Sequence, residues 1–283
     1  MNIKKVILVL GLVVIICLVL GVTVMKDSFF SVFNNSGSAA SKISEENIFE
    51  STDIKNISID NLHTNINIIP TSENKIKVQL YGLLENSQEP DFNLSTNTKN
   101  GVLTIVVQSR KASFLHLKRN HKLDIFIPQS YPNDLNIKTS EGTTNIGNFA
   151  LNNLEVEATS GHILTKDMTS ISARLANLSG RIEVSGFTGQ LEATSSSGGI
   201  NVSYKEFNSN ELKLKSNSGS VKVQLPQNSA FDLLAKSLSG SVKCSFPIEI
   251  KKTERNYIEG VVNGGTNKVI LNSESGNIVV SDD

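Results

Sequence analysis

Residues Leu212–Leu225 read LKLKSNSGSVKVQL. Leu212 and Leu214 before the central Ser-Gly pair, and Val221, Val223 and Leu225 after it, alternate with Lys213, Lys215, Lys222 and Gln224. Alternation with a period of two belongs to an extended strand that turns one face to a core and the other to water. The stretch therefore reads as two strands joined by a tight corner at Ser218-Gly219. At the corner Gly219 can take φ > 0 without the Cβ clash that other residues suffer, and Ser218 can bond the local backbone.

The unit recurs at Leu154–Thr165 (LEVEATSGHILT), Ala173–Val184 (ARLANLSGRIEV), Leu191–Val202 (LEATSSSGGINV), Leu233–Cys244 (LLAKSLSGSVKC) and Val269–Val280 (VILNSESGNIVV). Its turn glycines are Gly161, Gly180, Gly198, Gly219, Gly240 and Gly276, each followed two residues on by Ile or Val. A weaker copy turns at Gly142, and another runs from Ile57 to Ile68 with Thr64 in the glycine's place. Three residues before the glycines stand Ala158, Asn177, Ser195, Ser216, Ser237 and Ser273, a small column whose polar members can form a ladder of hydrogen bonds. From Gly142 to Gly240 the copies lie roughly 18 to 21 residues apart, the period of a solenoid rung rather than of a helical repeat.

These units predict an all-β chain. In a parallel β-solenoid each unit is one rung, its two strands lying in different sheets. In an antiparallel hairpin meander or sandwich, Ser-Gly is instead a two-residue loop that pairs Ser216 with Val221 and Leu214 with Val223. Column-by-column matching favours the solenoid, since parallel stacking rewards it directly and independent hairpins do not need it. The polar end Ser281-Asp282-Asp283 suits a chain that finishes at a solvent-facing cap.

Lys4 and Lys5 precede an uncharged run from Val6 to Met25, about 20 residues and long enough to cross a bilayer as a helix. The positive residues in front place the N-terminus inside and the remainder outside. The predicted organisation is a cytoplasmic tip at 1–5, a transmembrane signal anchor at 6–25, a flexible stalk at 26–50 and an extracytoplasmic β-repeat domain at 51–283. The expected location is the cell membrane, crossed once.

With 27 acidic and 27 basic residues the net charge is zero, which argues against nucleic acid as a partner. One basic cluster stands out, in Arg110–Lys122. It reads as a solvated loop, with Lys111, Lys118, Arg119 and Lys122 as candidate contacts to a polyanion. Cys17 lies in the apolar run and Cys244 at an inward position, where a thiol serves as a small hydrophobe. His63, His116, His121 and His162 lack metal-ligand spacing, no Gly-x-Ser-x-Gly elbow occurs, and the outward columns Glu155, Arg174, Glu192, Lys213 and Glu157, Ala176, Thr194, Lys215 mix signs. Mixed signs favour lateral ion pairing over a catalytic or calcium cluster. No enzyme, metal or cofactor is expected.

The segments LDIFIPQSYPNDLNIKTSEG (Leu123–Gly142), LSGSVKCSFP (Leu238–Pro247) and NGGTNKVILNSESGNIVV (Asn263–Val280), together with the signal anchor and the Ser-Gly units, resemble the putative-adhesin β-repeat family of membrane-anchored Gram-positive proteins, which includes LiaG-like proteins of cell-envelope stress operons. The resemblance covers roughly Ile54 to the C-terminus. It implies a non-catalytic binding or structural role at the envelope, with an envelope polymer or a membrane protein as partner. The alternative is an accessory or regulatory component of an envelope stress response, acting through a membrane partner.

Overall fold

The computed structural model describes residues 42–82, 92–109, 121–208 and 211–283. The expected tip and anchor lie outside the described residues. Among the described residues no helix is long and apolar enough to cross a membrane.

The described chain opens with β1 (Lys42–Glu50), a short 3-10 turn, and then the rung formed by β2 (Asn56–Asn61) and β3 (Asn65–Thr71). After β4 (Lys75–Gly82) and β5 (Phe92–Lys99) comes a second rung of β6 (Val102–Ser109) and β7 (Lys122–Pro128). The regular rungs follow, pairing β8 (Asp134–Thr139) with β9 (Thr143–Gly147) and β10 (Ala150–Ser160) with β11 (His162–Lys166). Next, β12 (Thr169–Ser179) turns into the long β13 (Ile182–Ser197), which bends at Gly186 and Gly189 so that its two halves serve different sheets, before β14 (Ile200–Tyr204). β15 (Glu211–Ser216) and β16 (Val221–Leu225) make the stretch read first above, and β17 (Phe231–Ser237) and β18 (Val242–Cys244) repeat it. A hairpin of β19 (Glu249–Glu254) and β20 (Tyr257–Val262) precedes the last rung, β21 (Asn267–Ser273) and β22 (Ile278–Asp282).

Strands before the Ser-Gly corner form one sheet, here the leading sheet, ordered β5-β6-β2-β8-β10-β12-β13-β15-β21-β17-β20-β19. Strands after the corner form the trailing sheet, ordered β1-β4-β7-β3-β9-β11-β13-β14-β16-β22-β18. Rung-to-rung pairing is parallel throughout, which selects the solenoid over the hairpin arrangement. Antiparallel pairing is confined to the ends, at β1-β4-β7, β5-β6 and β17-β20-β19. Such hairpins cover sheet edges that would otherwise offer open backbone groups. The outermost strand β19 is exposed along its whole length, and its Glu249, Lys251, Lys252 and Glu254 discourage edge-to-edge pairing.

Inward residues of every rung join one apolar core. Leu212, Leu214, Val221, Val223 and Leu225 are all buried, while Lys213, Lys215, Lys222 and Gln224 are exposed, as the alternation requires. Burying each such aliphatic side chain is worth about 1.5–3 kcal/mol, so the repeated columns carry most of the driving force. The far end of the rungs is filled by a file of aromatic rings. Phe187 meets Tyr204 edge-on at 5.4 Å, Tyr204 meets Phe207 at 4.8 Å, and Phe231 meets Phe246 at 5.3 Å between centroids. Phe149 and Met168 continue the file toward the N-terminal rungs at the same repeat spacing as Phe187.

Three expectations are corrected. Residues 42–50, assigned to the stalk, form β1, paired with β4 from Lys42↔Gly82 to Glu50↔Lys75; Ile43, Ile48 and Phe49 interleave with polar residues and suit a strand as well as a linker. The last rung is not a cap. β21 and β22 slot between β15/β16 and β17/β18, so the end of the chain lies one rung inside. Finally, Gly219 is not at positive φ. Gly142, Gly161 and Gly180 are, but Gly198, Gly219, Gly240 and Gly276 are not.

What demands glycine at all seven corners is close approach. A Cβ on Gly161 would fall on the carbonyl oxygen of Gly142, and the same clash links Gly180 to Gly161, Gly198 to Gly180, Gly219 to Gly198, Gly276 to Gly219 and Gly240 to Gly276. Gly142 itself closes over the Thr64 carbonyl, 2.6 Å from where its Cβ would stand. Four members of the polar column bond to the same carbonyls. Asn177 donates to the Gly161 oxygen (2.9 Å), Ser216 to Gly198 (3.0 Å), Ser273 to Gly219 (3.0 Å) and Ser237 to Gly276 (2.8 Å). The ladder thus runs from side chain to the next rung's backbone rather than between side chains.

Candidate binding faces

Because inward columns are spent on the core, function falls to the outward ones. On the leading face the register aligns Asp60, Lys138, Glu157, Ala176, Thr194 and Lys215 in one row across successive rungs. Small residues in its middle leave a trough of about 580 Å³ beside the corner. Lys138 is paired with Glu157 at 3.2 Å, and Arg174 with Glu192 at 3.1 Å in the neighbouring row. Lys213 turns to Glu211 of its own strand, at 3.0 Å, rather than along its column. These exposed pairs contribute little stability, about 0–1 kcal/mol each, but they neutralise the face.

The trailing face carries a second trough in two parts, of about 430 and 290 Å³, which share Glu183 and Ser185. Its lining mixes amides and hydroxyls (Asn67, Asn145, Ser185, Asn201, Ser203 and Gln224) with apolar Ile69, Leu164 and Val279 and with charged Lys166, Glu183 and Lys222. At its N-terminal end the Asn145 amide donates to Asn67 (2.8 Å), and Asn67 donates to Asp124 (2.7 Å). Asp124 also holds Lys122 at 2.9 Å, and the Lys122 ammonium lies 4.5 Å from the centre of the Tyr81 ring. Of the four residues expected to contact a polyanion, Lys122 is thereby engaged by a buried carboxylate and an aromatic face. Lys111, Lys118 and Arg119 lie outside the described residues.

The structure brings all seven turn glycines into one ladder, where their role is structural. His63 meets Glu141 at 3.2 Å, His162 accepts a bond from the Arg181 backbone N–H (3.1 Å), and His121 stacks near Phe92 at 4.4 Å, so these three histidines are dispersed. No group of three or more His, Cys, Asp or Glu side chains able to hold a metal occurs among the described residues. Burial pushes the Cys244 thiol pKa up, and the nearby Asp282 adds to the shift, while a backbone bond from Phe246 works against it. Tyr204 is likewise raised by burial, and its hydroxyl donates to the Gly189 carbonyl (3.2 Å). The trailing trough was missed in the sequence. The signal was there in the outward Asn145, Ser185, Asn201, Ser203 and Gln224 that follow four of the turn glycines, but their alignment depends on the order of rungs.

A family model for Toastrack DUF4097 matches residues 54–169 and again 132–281, together most of the chain. The chain belongs to the Toastrack DUF4097 family. The two Toastrack matches overlap over 132–169, as a stack of similar rungs permits. No curated protein matches the sequence. Among solved structures, a putative adhesin from Bacteroides fragilis is 15% identical with a TM-score of 0.46, over 87% of this chain and 99% of that one. A putative cell adhesion protein from Clostridium sporogenes is 12% identical with a TM-score of 0.41, over 84% and 99%. A putative lipid binding protein from Parabacteroides distasonis is 13% identical with a TM-score of 0.32, over 84% and 96%. These likenesses are distant, and membership of the Toastrack family rests on the family match alone.

Proposed function

We propose that this chain is a membrane-tethered, extracytoplasmic Toastrack protein with a non-catalytic binding role at the bacterial cell envelope. The observation that carries the reading is the repetition of outward polar side chains rung after rung, leaving an open trough on each face. Extended, repetitive faces suit extended partners, as concave pockets suit small ones. Pairing of Lys138 with Glu157 and of Arg174 with Glu192 supports a contact surface over a reacting centre. The uncharged run at 6–25 supports the tether, and Lys4 and Lys5 support the outward orientation.

Cells stripped of wall and treated with protease test the topology, which expects digestion of the repeat domain; its protection would reverse the orientation. Retention of the full-length protein on isolated cell-wall sacculi tests the binding role. Should the protein fail to bind walls and act only when its anchor is intact, the regulatory reading through a membrane partner takes its place.

A further inference from the structure

We infer that the trailing-face trough is a binding track for a linear, uncharged polysaccharide laid along the solenoid axis; this rests on the envelope-binding reading and names its ligand. The trough crosses seven neighbouring strands, β3, β9, β11, β13, β14, β16 and β22. Six spacings of about 4.8 Å make it about 29 Å long. The strand spacing is close to the length of one pyranose unit in an extended chain, so successive sugars would meet equivalent positions on successive rungs.

The chemistry of the track fits sugar hydroxyl and acetamido groups. A side-chain amide offers donors and an acceptor together, and a hydroxyl offers both in one atom. The side chains of Asn201 and Gln224 make no hydrogen bond among the described residues and stand on adjacent strands, Asn201 half-buried and Gln224 exposed. Ser185 donates to the Thr165 carbonyl (3.2 Å) and Ser203 accepts from the Gly186 N–H (3.2 Å), which fixes the hydroxyls at the trough's edge. Gly147, Ser185 and Ser203 keep the floor low, while Leu164 and Val279 offer apolar patches to a ring face. Charge gives a polyanion only a sparse hold: Lys166 and Lys222 stand on strands three apart, and Glu183, paired with Arg181 at 3.5 Å, lies between them.

The test uses full-length protein in detergent and chito-oligosaccharides from dimer to octamer, followed by calorimetry. Affinity should rise with each added unit until the oligomer spans the track and then level off, with little response to raised salt. Asn201→Ala combined with Gln224→Ala should weaken the long oligomers about tenfold, as two lost hydrogen bonds imply. Lys215→Ala on the opposite face should change nothing. Both changes lie at the surface, so an unaltered thermal transition confirms that the variant is folded. The inference is overturned if no oligomer binds, if affinity ignores length, or if the double variant binds as well as the parent. It is also overturned if the track takes polyglycerol phosphate instead, in a salt-sensitive manner lost with Lys166→Gln and Lys222→Gln. Retention on wall sacculi in any of these cases would leave the envelope reading standing without the glycan; loss of retention as well would remove both.

Discussion

The Ser273 hydroxyl donates a 3.0 Å hydrogen bond to the carbonyl oxygen of Gly219, a residue 54 positions earlier in the chain. That bond belongs to the last rung, which sits between two rungs that precede it in sequence. A physical reason for the insertion lies in the outward columns. Stacked in chain order, β17/β18 on β15/β16 would set Lys236 against Lys215 and Lys243 against Lys222, and like charges directly opposite are destabilising. The inserted rung puts Asn272 and Val279 between them. It also gives the chain end a neighbour on each side, where an outermost rung would fray first.

Removing residues 267–283 should therefore cost far more than trimming a cap. The truncated protein is expected to lose its cooperative thermal transition or to unfold at much lower temperature, and an added peptide of residues 265–283 should partly restore it. An unchanged transition would mean that the neighbouring rungs close the gap at little cost.

At Gly219 the penalty comes from the Gly198 carbonyl, not from backbone conformation. Gly219→Ala should destabilise by about 1–3 kcal/mol through overpacking, seen as a lower urea midpoint. Gly264 has φ of +72° and no neighbour within 4 Å of an added Cβ. Gly264→Asn, a residue that tolerates this region, should be nearly neutral. Equal effects at the two sites would contradict the steric account.

Burying an unpaired carboxylate through Val221→Asp should cost about 4 kcal/mol or more. Hydrogen exchange should rise at Ile200–Val202 and at Ile278–Val280, the two strands bonded to β16, before it rises at Val242–Cys244. Faster exchange at Val242–Cys244 than at Ile278–Val280 would contradict the observed rung order.

Ser273→Ala leaves two groups wanting, because Ser273 donates to the Gly219 oxygen and accepts from the Gly276 N–H at 2.8 Å. The expected loss is about 1–3 kcal/mol in denaturant titration. The same change at Thr194, on the outward face, should be within about 0.5 kcal/mol of neutral.

Cys244 has a thiol pKa raised by burial and by Asp282. A raised pKa leaves less thiolate at any given pH, and thiolate is the reactive form. In a Cys17→Ser background, alkylation of folded protein near neutral pH should be slower than that of free cysteine, and should accelerate as pH climbs past the ordinary thiol range. Labelling as fast as free cysteine would place Cys244 outside the packed column.

Much of this architecture can be read from the chain because each rung is local. Alternation in Leu212–Leu225 assigns inward and outward residues within one unit, and shared columns among units imply parallel stacking, since in-register neighbours must present like residues to one core. The need for glycine at Gly142, Gly161, Gly180, Gly198, Gly219, Gly240 and Gly276 was equally visible. Its cause was not, because the clash is with a carbonyl of the adjacent rung, a partner named only by tertiary stacking. Rung order was hidden for the same reason: β21/β22 matches the column pattern of either neighbour, and the choice depends on which Lys columns end up face to face. The strand β1 was missed because an edge strand with one sparse apolar face resembles a linker until β4 supplies its hydrogen bonds. Sequence by itself determined the repeating unit, its two faces and the absence of a charge bias. Only the tertiary structure decided the order of rungs, and with it which amides, hydroxyls, charges and apolar side chains line up on the trailing face, because side chains far apart in the chain align only when their backbones are stacked.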